Sequence, residues 1–207
     1  MAQKPAIPKG TRDFLPTEVA KRNYMFATIK EVFRRYGYAP IETPSFELST
    51  TLMGKYGEEG DRLIFRILNS GEKMKKADLD ALAQDNLPRF ANSLAEKALR
   101  YDLTVPLTRY YATNRSKLPA VFKALQTGPV WRAERPQKGR YRQFVQCDID
   151  IIGDASILAE IELLNASLDA LTAIGLNDAT IRVNHRVLLA NLLEQLGVPE
   201  AGKGSAM

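Results

Sequence analysis

The chain has one cysteine and one histidine in 207 residues, and no long apolar run. A lone Cys147 rules out an intramolecular disulfide and a cysteine-based zinc cluster. Adding His185 does not assemble a metal site, so none is expected. Cys147 falls among apolar alternate residues and reads as a small buried thiol. Eighteen consecutive apolar residues occur nowhere, and MAQKPAIPKG lacks the apolar core of a signal peptide, which points to a cytoplasmic protein with no membrane partner. The hydrophobic share of 45% and charged share of 26% are those of a globular chain, long enough for one domain or one and a half. A net charge of +5 is compatible with an RNA partner but does not require one.

The most informative stretch runs from Gln126 to Gly153 and reads as two strands joined by a basic, turn-rich loop, Pro136 to Tyr141. In the second strand Gln143, Val145, Cys147, Ile149 and Ile151 alternate with Arg142, Phe144, Gln146, Asp148 and Asp150. Successive strand residues point to opposite faces, so one face packs and the other carries polar groups and a single ring. The first strand repeats this, with Arg132 and Glu134 on one face and Trp131 and Ala133 on the other. An ordinary half-exposed strand also alternates, but cations, carboxylates, an amide and an aromatic together favour a binding surface. The short connection makes the two strands antiparallel.

Upstream, Met25, Ile29, Val32, Phe33 and Tyr36 form one helical stripe, with Thr17 as a plausible N-cap and Gly37 as the stop. YAPIETPSFE is extended and broken by Pro40 and Pro44, and DRLIFRIL (61–68) reads as a strand. Residues 69–97 are charged and aperiodic and read as an insertion with a short helix near Leu79 to Ala83. Asp102 and Thr104 precede a helix starting near Val105 or Pro106. Spacing leaves them equally suited to capping it or to holding an ammonium group. Further on, Asp154 to Ala173 is a helix with Ile157, Ile161, Leu164, Leu168 and Leu171 as its stripe. ATIRVN (Ala179 to Asn184) is a strand and Arg186 to Leu196 a helix. His185 sits at their junction, where capping or solvent exposure outweighs a general-base role.

WRAERPQKGRYRQFVQCDID resembles motif 2 of the class II aminoacyl-tRNA synthetases, and in its wording the histidyl-tRNA synthetase family. PKGTRDFLP resembles the start of that family's catalytic domain. The helix, extended segment and Pro44 resemble motif 1, which builds the family's dimer interface. The resemblance implies an α+β fold: an antiparallel sheet flanked by helices, in a homodimer. It implies that Arg132 contacts the α-phosphate and substrate carboxylate, that Glu134 recognises adenine and that Phe144 stacks on it. Arg140 and Arg142 would lie near the triphosphate or the tRNA acceptor end. Asp102, Thr104 and Gln146 would bind the α-amino group of histidine, and Asp150 its imidazole N–H. The substrates implied are histidine, ATP with Mg2+, and tRNA(His).

Asp at positions 102 and 150, where bacterial members often have Glu, with QCDID and VNHR, resembles the eukaryotic type. The resemblance takes residues 1–200 as part of a catalytic domain and 201–207 as a flexible tail. A second arginine motif, motif 3 and an anticodon-binding domain are not in the sequence, so the chain reads as a fragment. A histidine-sensing paralogue that regulates ATP phosphoribosyltransferase is the alternative, disfavoured by the intact Arg132, Glu134 and Phe144. A generic basic RNA-binding module has only net charge behind it.

Overall fold

Two three-stranded sheets organise the computed structural model, which describes residues 4–199. In the first, β5 (Phe122–Trp131) and β6 (Gln143–Ile152) form a continuous antiparallel ladder from Phe122↔Ile152 to Trp131↔Gln143. The short β1 (Ala39–Ile41) pairs with β5 in parallel, so this sheet is not wholly antiparallel. The second is antiparallel, in the order β2 (Phe46–Leu48), β4 (Lys97–Leu99), β3 (Arg66–Ile67).

Helix α1 (Pro16–Arg35) and helix α7 (Ile157–Ala173) cover one face of β5 and β6. Val32, Phe33 and Ile29 of α1 meet Ala166, Ala170 and Leu163 of α7 over Leu125, Cys147, Ile149 and Ile151. Burying so much apolar surface at about 25 cal/mol per Å2 makes this the principal core. α1 begins at Pro16, not beyond Thr17: the Glu18 carboxylate reaches back to the Leu15 N–H at 3.0 Å, which displaces the expected threonine cap.

The stripe expected for α7 is not the one that packs. Ile157, Ile161 and Leu168 are exposed, and the buried face is Ala159, Ala166 and Ala170. The helix is apolar almost all round, so periodicity could not select a face; close approach to α1 and the sheet favours the alanines.

The second sheet has its own small core, Leu52, Ile64 and Ala98, from α2 (Ser49–Leu52), the loop before β3, and β4. Residues 61–68 are mostly not strand: Asp61 and Arg62 end helix α3 (Gly57–Arg62), and only β3 is extended and paired. The 69–97 stretch is more ordered than expected. It holds a 3-10 turn (Gly71–Lys76), α4 (Leu79–Ala83), α5 (Leu87–Leu94) and the start of β4. α5 is capped by the Asn86 side chain, which accepts the Arg89 N–H at 3.2 Å.

Helix α6 (Thr104–Asn114) starts one residue before the earliest expected position. Leu107 and Tyr110 of α6 pack on Phe122 and Ala124, so a helix also covers one end of the second face of the β5–β6 ladder. Residues 179–184 are not a strand; among the described residues no strand lies beside them to form a ladder. α8 (Arg186–Gln195) follows as expected, with His185 exposed at its N-cap and making no side-chain cap bond. The 201–207 tail lies outside the described residues. Among those described, no helix is long and apolar enough to cross a membrane.

Candidate active site

The face of β6 turned away from α1 and α7 carries Phe144, Gln146, Asp148 and Asp150. Val130, Gly128, Gln126 and Ala124 of β5 lie opposite them in that order. Two of these, Gly128 and Ala124, carry little or no side chain opposite Gln146 and Asp150. Gly128 is required for a steric reason: a Cβ there would lie 2.2 Å from Nη2 of Arg100. That guanidinium, only 5% exposed, donates to the Pro129 carbonyl at 2.8 Å and to the Thr43 carbonyl at 2.9 Å. A longer contact, 3.4 Å, reaches the Pro44 carbonyl. Arg100 thus ties the extended segment containing Pro44 to the ladder; Pro44 itself is exposed.

The segment from β4 to α6 runs along the face, with Tyr101 beside Arg132 and Asp102 near Asp148. Asp102 Oδ1 accepts the Val105 N–H at 3.2 Å and the Tyr56 hydroxyl at 2.8 Å. Capping therefore occupies one carboxylate oxygen. Thr104 opens the helix and is exposed. Asp102 and Asp150 are close enough for each to act on the proton affinity of Asp148.

The ladder continues past Trp131. The Arg132 N–H donates to the Arg142 carbonyl at 2.9 Å, although both residues lie outside the regular strands. Arg132 Nε donates to the Tyr101 carbonyl at 3.2 Å, and its guanidinium lies 4.4 Å from the Tyr101 ring centre and 5.1 Å from that of Phe144. Arg132, Phe144, Gln146 and Asp150 therefore share one side of the sheet, as their alternation predicts.

Glu134 sits farther out, in the loop. Its carboxylate accepts from Arg140 at 3.4 Å and its carbonyl from Arg142 Nε at 3.0 Å. The loop turns on Gly139, φ +79°, between Gln137 and Arg140, which exchange backbone hydrogen bonds. The N-terminal PKGTRDFLP segment packs directly against this loop: the Gly10 carbonyl accepts the Arg142 N–H at 2.7 Å. Arg12 lies over the rings of Phe14 and Tyr141 and pairs with Glu18 at 2.6 Å.

Three carboxylates, Asp102, Asp148 and Asp150, share the face with two guanidiniums: Arg132, and Arg100 over Gly128 with its Nε and Nη1 bound to backbone carbonyls. Burial, then the charges of Asp150 and Asp102, push Asp148 up to about 6; Arg132 and Gln146 partly offset this. Asp150 is likewise raised, by burial first and Asp102 second. Two acceptors, Gln146 Oε1 and Asp150 Oδ2, are buried with no hydrogen-bond partner among the described residues. Buried acceptors are ordinarily paired, so these two are open to donors from water or a ligand. Cys147, on the opposite face, has its thiol 3.4 Å from the Thr127 hydroxyl, and burial pushes its pKa up, as an unreactive packing residue requires.

The strand alternation did not mark Asp148 for a role. Its signal was its place between Gln146 and Asp150 on one face. Arg100 and Gly10 also went unmarked, because their partners lie far away in sequence.

A mixed sheet with a polar face and helices behind it, bearing an arginine, a ring and acids on one hairpin, is the architecture of a class II aminoacyl-tRNA synthetase catalytic domain. A family model described as histidyl-tRNA synthetase matches residues 10–76 and 85–207, and the chain belongs to that family. A histidine–tRNA ligase of Christiangramia forsetii is 55% identical over 197 residues, 95% of this chain and 43% of that protein. One from Bacteroides fragilis is 50% identical over the same shares. The chain thus spans less than half the length of these relatives. Among solved structures, a histidyl-tRNA synthetase from Nostoc superposes with a TM-score of 0.75 at 29% identity, covering 97% of this chain and 41% of that one. A Bacillus halodurans structure titled as an ATP phosphoribosyltransferase regulatory subunit/histidyl-tRNA synthetase gives the same TM-score at 22% identity, covering 98% and 47%; it shares the fold.

Proposed function

We propose that the protein activates histidine with ATP and transfers it to tRNA(His), with this chain supplying the amino-acid pocket and part of the ATP site. The observation that carries the reading is the pair of unpartnered buried acceptors, Gln146 Oε1 and Asp150 Oδ2, on the same strand face as Arg132. Four strand residues set the two acceptor-bearing positions about 13 Å apart at Cα. Side chains converging from that span suit a ligand with N–H groups at both ends, as histidine has. Asp102, Thr104 and Gln146 would receive the α-ammonium group, and Asp150 the imidazole N–H.

Activation proceeds by in-line attack of the histidine carboxylate on the α-phosphate, expelling pyrophosphate. Negative charge grows on the non-bridging oxygens in the transition state. A planar guanidinium at Arg132 would stabilise that charge better than a lysine point charge could. Phe144 offers a face for adenine and Glu134 acceptors for its exocyclic amine. Arg140 and Arg142, in or beside the loop, would meet the triphosphate or the acceptor end of the tRNA. No three acid, histidine or cysteine side chains among the described residues gather to hold a metal, so magnesium would arrive on the triphosphate as part of the substrate.

A homodimer through α1, β1 and the Pro44 segment is part of the same reading. Phe46 and Leu48, just beyond Pro44, are 46% and 57% exposed, which supports an interface there. Sedimentation of the full-length protein containing these residues should give a dimer at micromolar concentration; monomer alone would reject the interface. The ligase reading itself is tested by histidine-dependent exchange of pyrophosphate into ATP in the same protein. Histidine binding without exchange would favour the regulatory alternative, which the presence of Arg132, Glu134 and Phe144 otherwise weighs against.

A further inference from the structure

We infer that Asp148 is a positioning residue that fixes which end of the Gln146 amide faces the amino acid, and so turns Oε1 rather than the NH2 group toward the α-ammonium. This rests on the ligase reading above. The Gln146 amide nitrogen lies 3.3 and 3.5 Å from the two carboxylate oxygens of Asp148. An ionised carboxylate can only accept, so the reversed amide would set oxygen against oxygen. With the nitrogen so directed, Oε1 is left buried and without a partner among the described residues.

No other side chain in the immediate ladder competes for the amide. Gly128, directly across the ladder, offers no side chain, and Arg100 Nη2, which takes the space its Cβ would fill, is a donor only and does not compete for the amide nitrogen. Gln126, across from Asp148, commits its own amide nitrogen to the Leu103 carbonyl at 3.1 Å and its oxygen to the Thr43 hydroxyl at 3.3 Å. The charged groups acting on Asp148 are Asp150 on its own strand, Asp102 before α6 and Arg132 beyond β5. Asp148 titrates at about 6, so at pH 7.5 it is in the acceptor-only form that holds the amide. An ammonium ion has donors only, and Gln146 can serve it only through oxygen.

The test exchanges the polarity of the pair in the full-length protein containing this chain, with pyrophosphate exchange measured at pH 7.5. Asp148→Asn is nearly isosteric and removes a buried charge, so the fold is kept; circular dichroism checks this. It can donate to or accept from the amide, and Gln146 is no longer held. The KM for histidine should rise about 10-fold, with kcat and the KM for ATP within about 3-fold of wild type. Gln146→Glu alone sets two carboxylates together and should also raise the histidine KM. The double variant Asp148→Asn/Gln146→Glu restores a donor at 148 and an acceptor facing the ligand, and should recover histidine KM to within about 3-fold of wild type. A merely structural role for Asp148 would not be rescued from position 146. Wild-type histidine KM in Asp148→Asn, or a double variant no better than the worse single one, overturns the inference. Absence of histidine-dependent exchange in the wild type would instead remove the ligase reading and this inference with it.

Discussion

Replacing Asp150 with asparagine should move stability and catalysis in opposite directions. The carboxylate has one oxygen buried without a partner among the described residues, and its proton affinity is raised by burial and by Asp102. In the unliganded protein at neutral pH it is a charge held partly out of water without compensation, which costs stability. Asparagine is almost the same shape and carries no charge. The unliganded variant should gain on the order of 1 kcal/mol, a rise in Tm of roughly 2–4 °C for a protein of this size. Acid titration gives the same sign. A carboxyl whose folded pKa is raised binds its proton more tightly in the folded state, so folding stability falls as pH climbs from the unfolded value through the folded one. The variant loses that slope. With histidine bound, the order reverses: exchanging a charge-assisted N–H···O contact for a neutral one should cost about 1.5–3 kcal/mol. That corresponds to roughly a 10- to 100-fold fall in kcat/KM for histidine, with the KM for ATP hardly changed. Thermal unfolding without ligand and pyrophosphate exchange over a histidine series read the two effects separately. Unaltered histidine dependence would remove Asp150 from the pocket, and a destabilised variant would show that its carboxylate has partners in the folded state.

Three further perturbations probe the scaffold around that pocket. Gly10→Ala should loosen the 136–141 loop: Gly10 has φ +85°, and a Cβ would lie 2.8 Å from Pro136 Cγ and Arg142 Cγ. We expect a several-fold rise in the KM for ATP, unchanged histidine KM and faster tryptic cleavage at Lys138 and Arg140; identical ATP kinetics would refute a link between the two segments. Arg100→Lys keeps the charge but cannot reach Pro129 and Thr43 together, and should cost about 2–3 kcal/mol, seen as a fall of roughly 1 M in the urea midpoint. The raised proton affinity of Asp148 predicts stability that declines as pH rises from about 4 to about 6. This decline should flatten in Asp148→Asn; no decline in the wild type, or the same decline in the variant, would show that Asp148 is not its source.

The β5–β6 hairpin was legible because alternation is written residue by residue, and the polar face it predicted is the face that gathers Arg132, Phe144, Gln146 and Asp150. Helix α4 fell where its short alanine-rich run indicated. Helix α5 had a readable stripe, Leu87, Phe90, Ala91 and Leu94, hidden within a stretch dismissed as charged and aperiodic. The packing face of α7 was not readable, since a helix apolar on every side leaves the choice to its neighbours. Nor was the parallel pairing of β1 with β5, or the grip of Arg100 on Thr43: both depend on contacts more than fifty residues apart. A strand needs a partner, and the 179–184 run had the composition of one without a neighbour to pair with among the described residues.

Strand β6 gives Cys147, Ile149 and Ile151 to the core and Phe144, Gln146, Asp148 and Asp150 to the polar face. A single-residue insertion or deletion within it would exchange the two sets wholesale, placing Asp148 and Asp150 under α1 and α7 and isoleucines toward the substrate. Each substitution at Cys147 or Ile149 also lifts or lowers the backbone on which its two pocket neighbours stand. If the polar face holds the amino acid as proposed, variants at Cys147 or Ile149 chosen only for thermal stability should drift in substrate preference, although their side chains point to the opposite face.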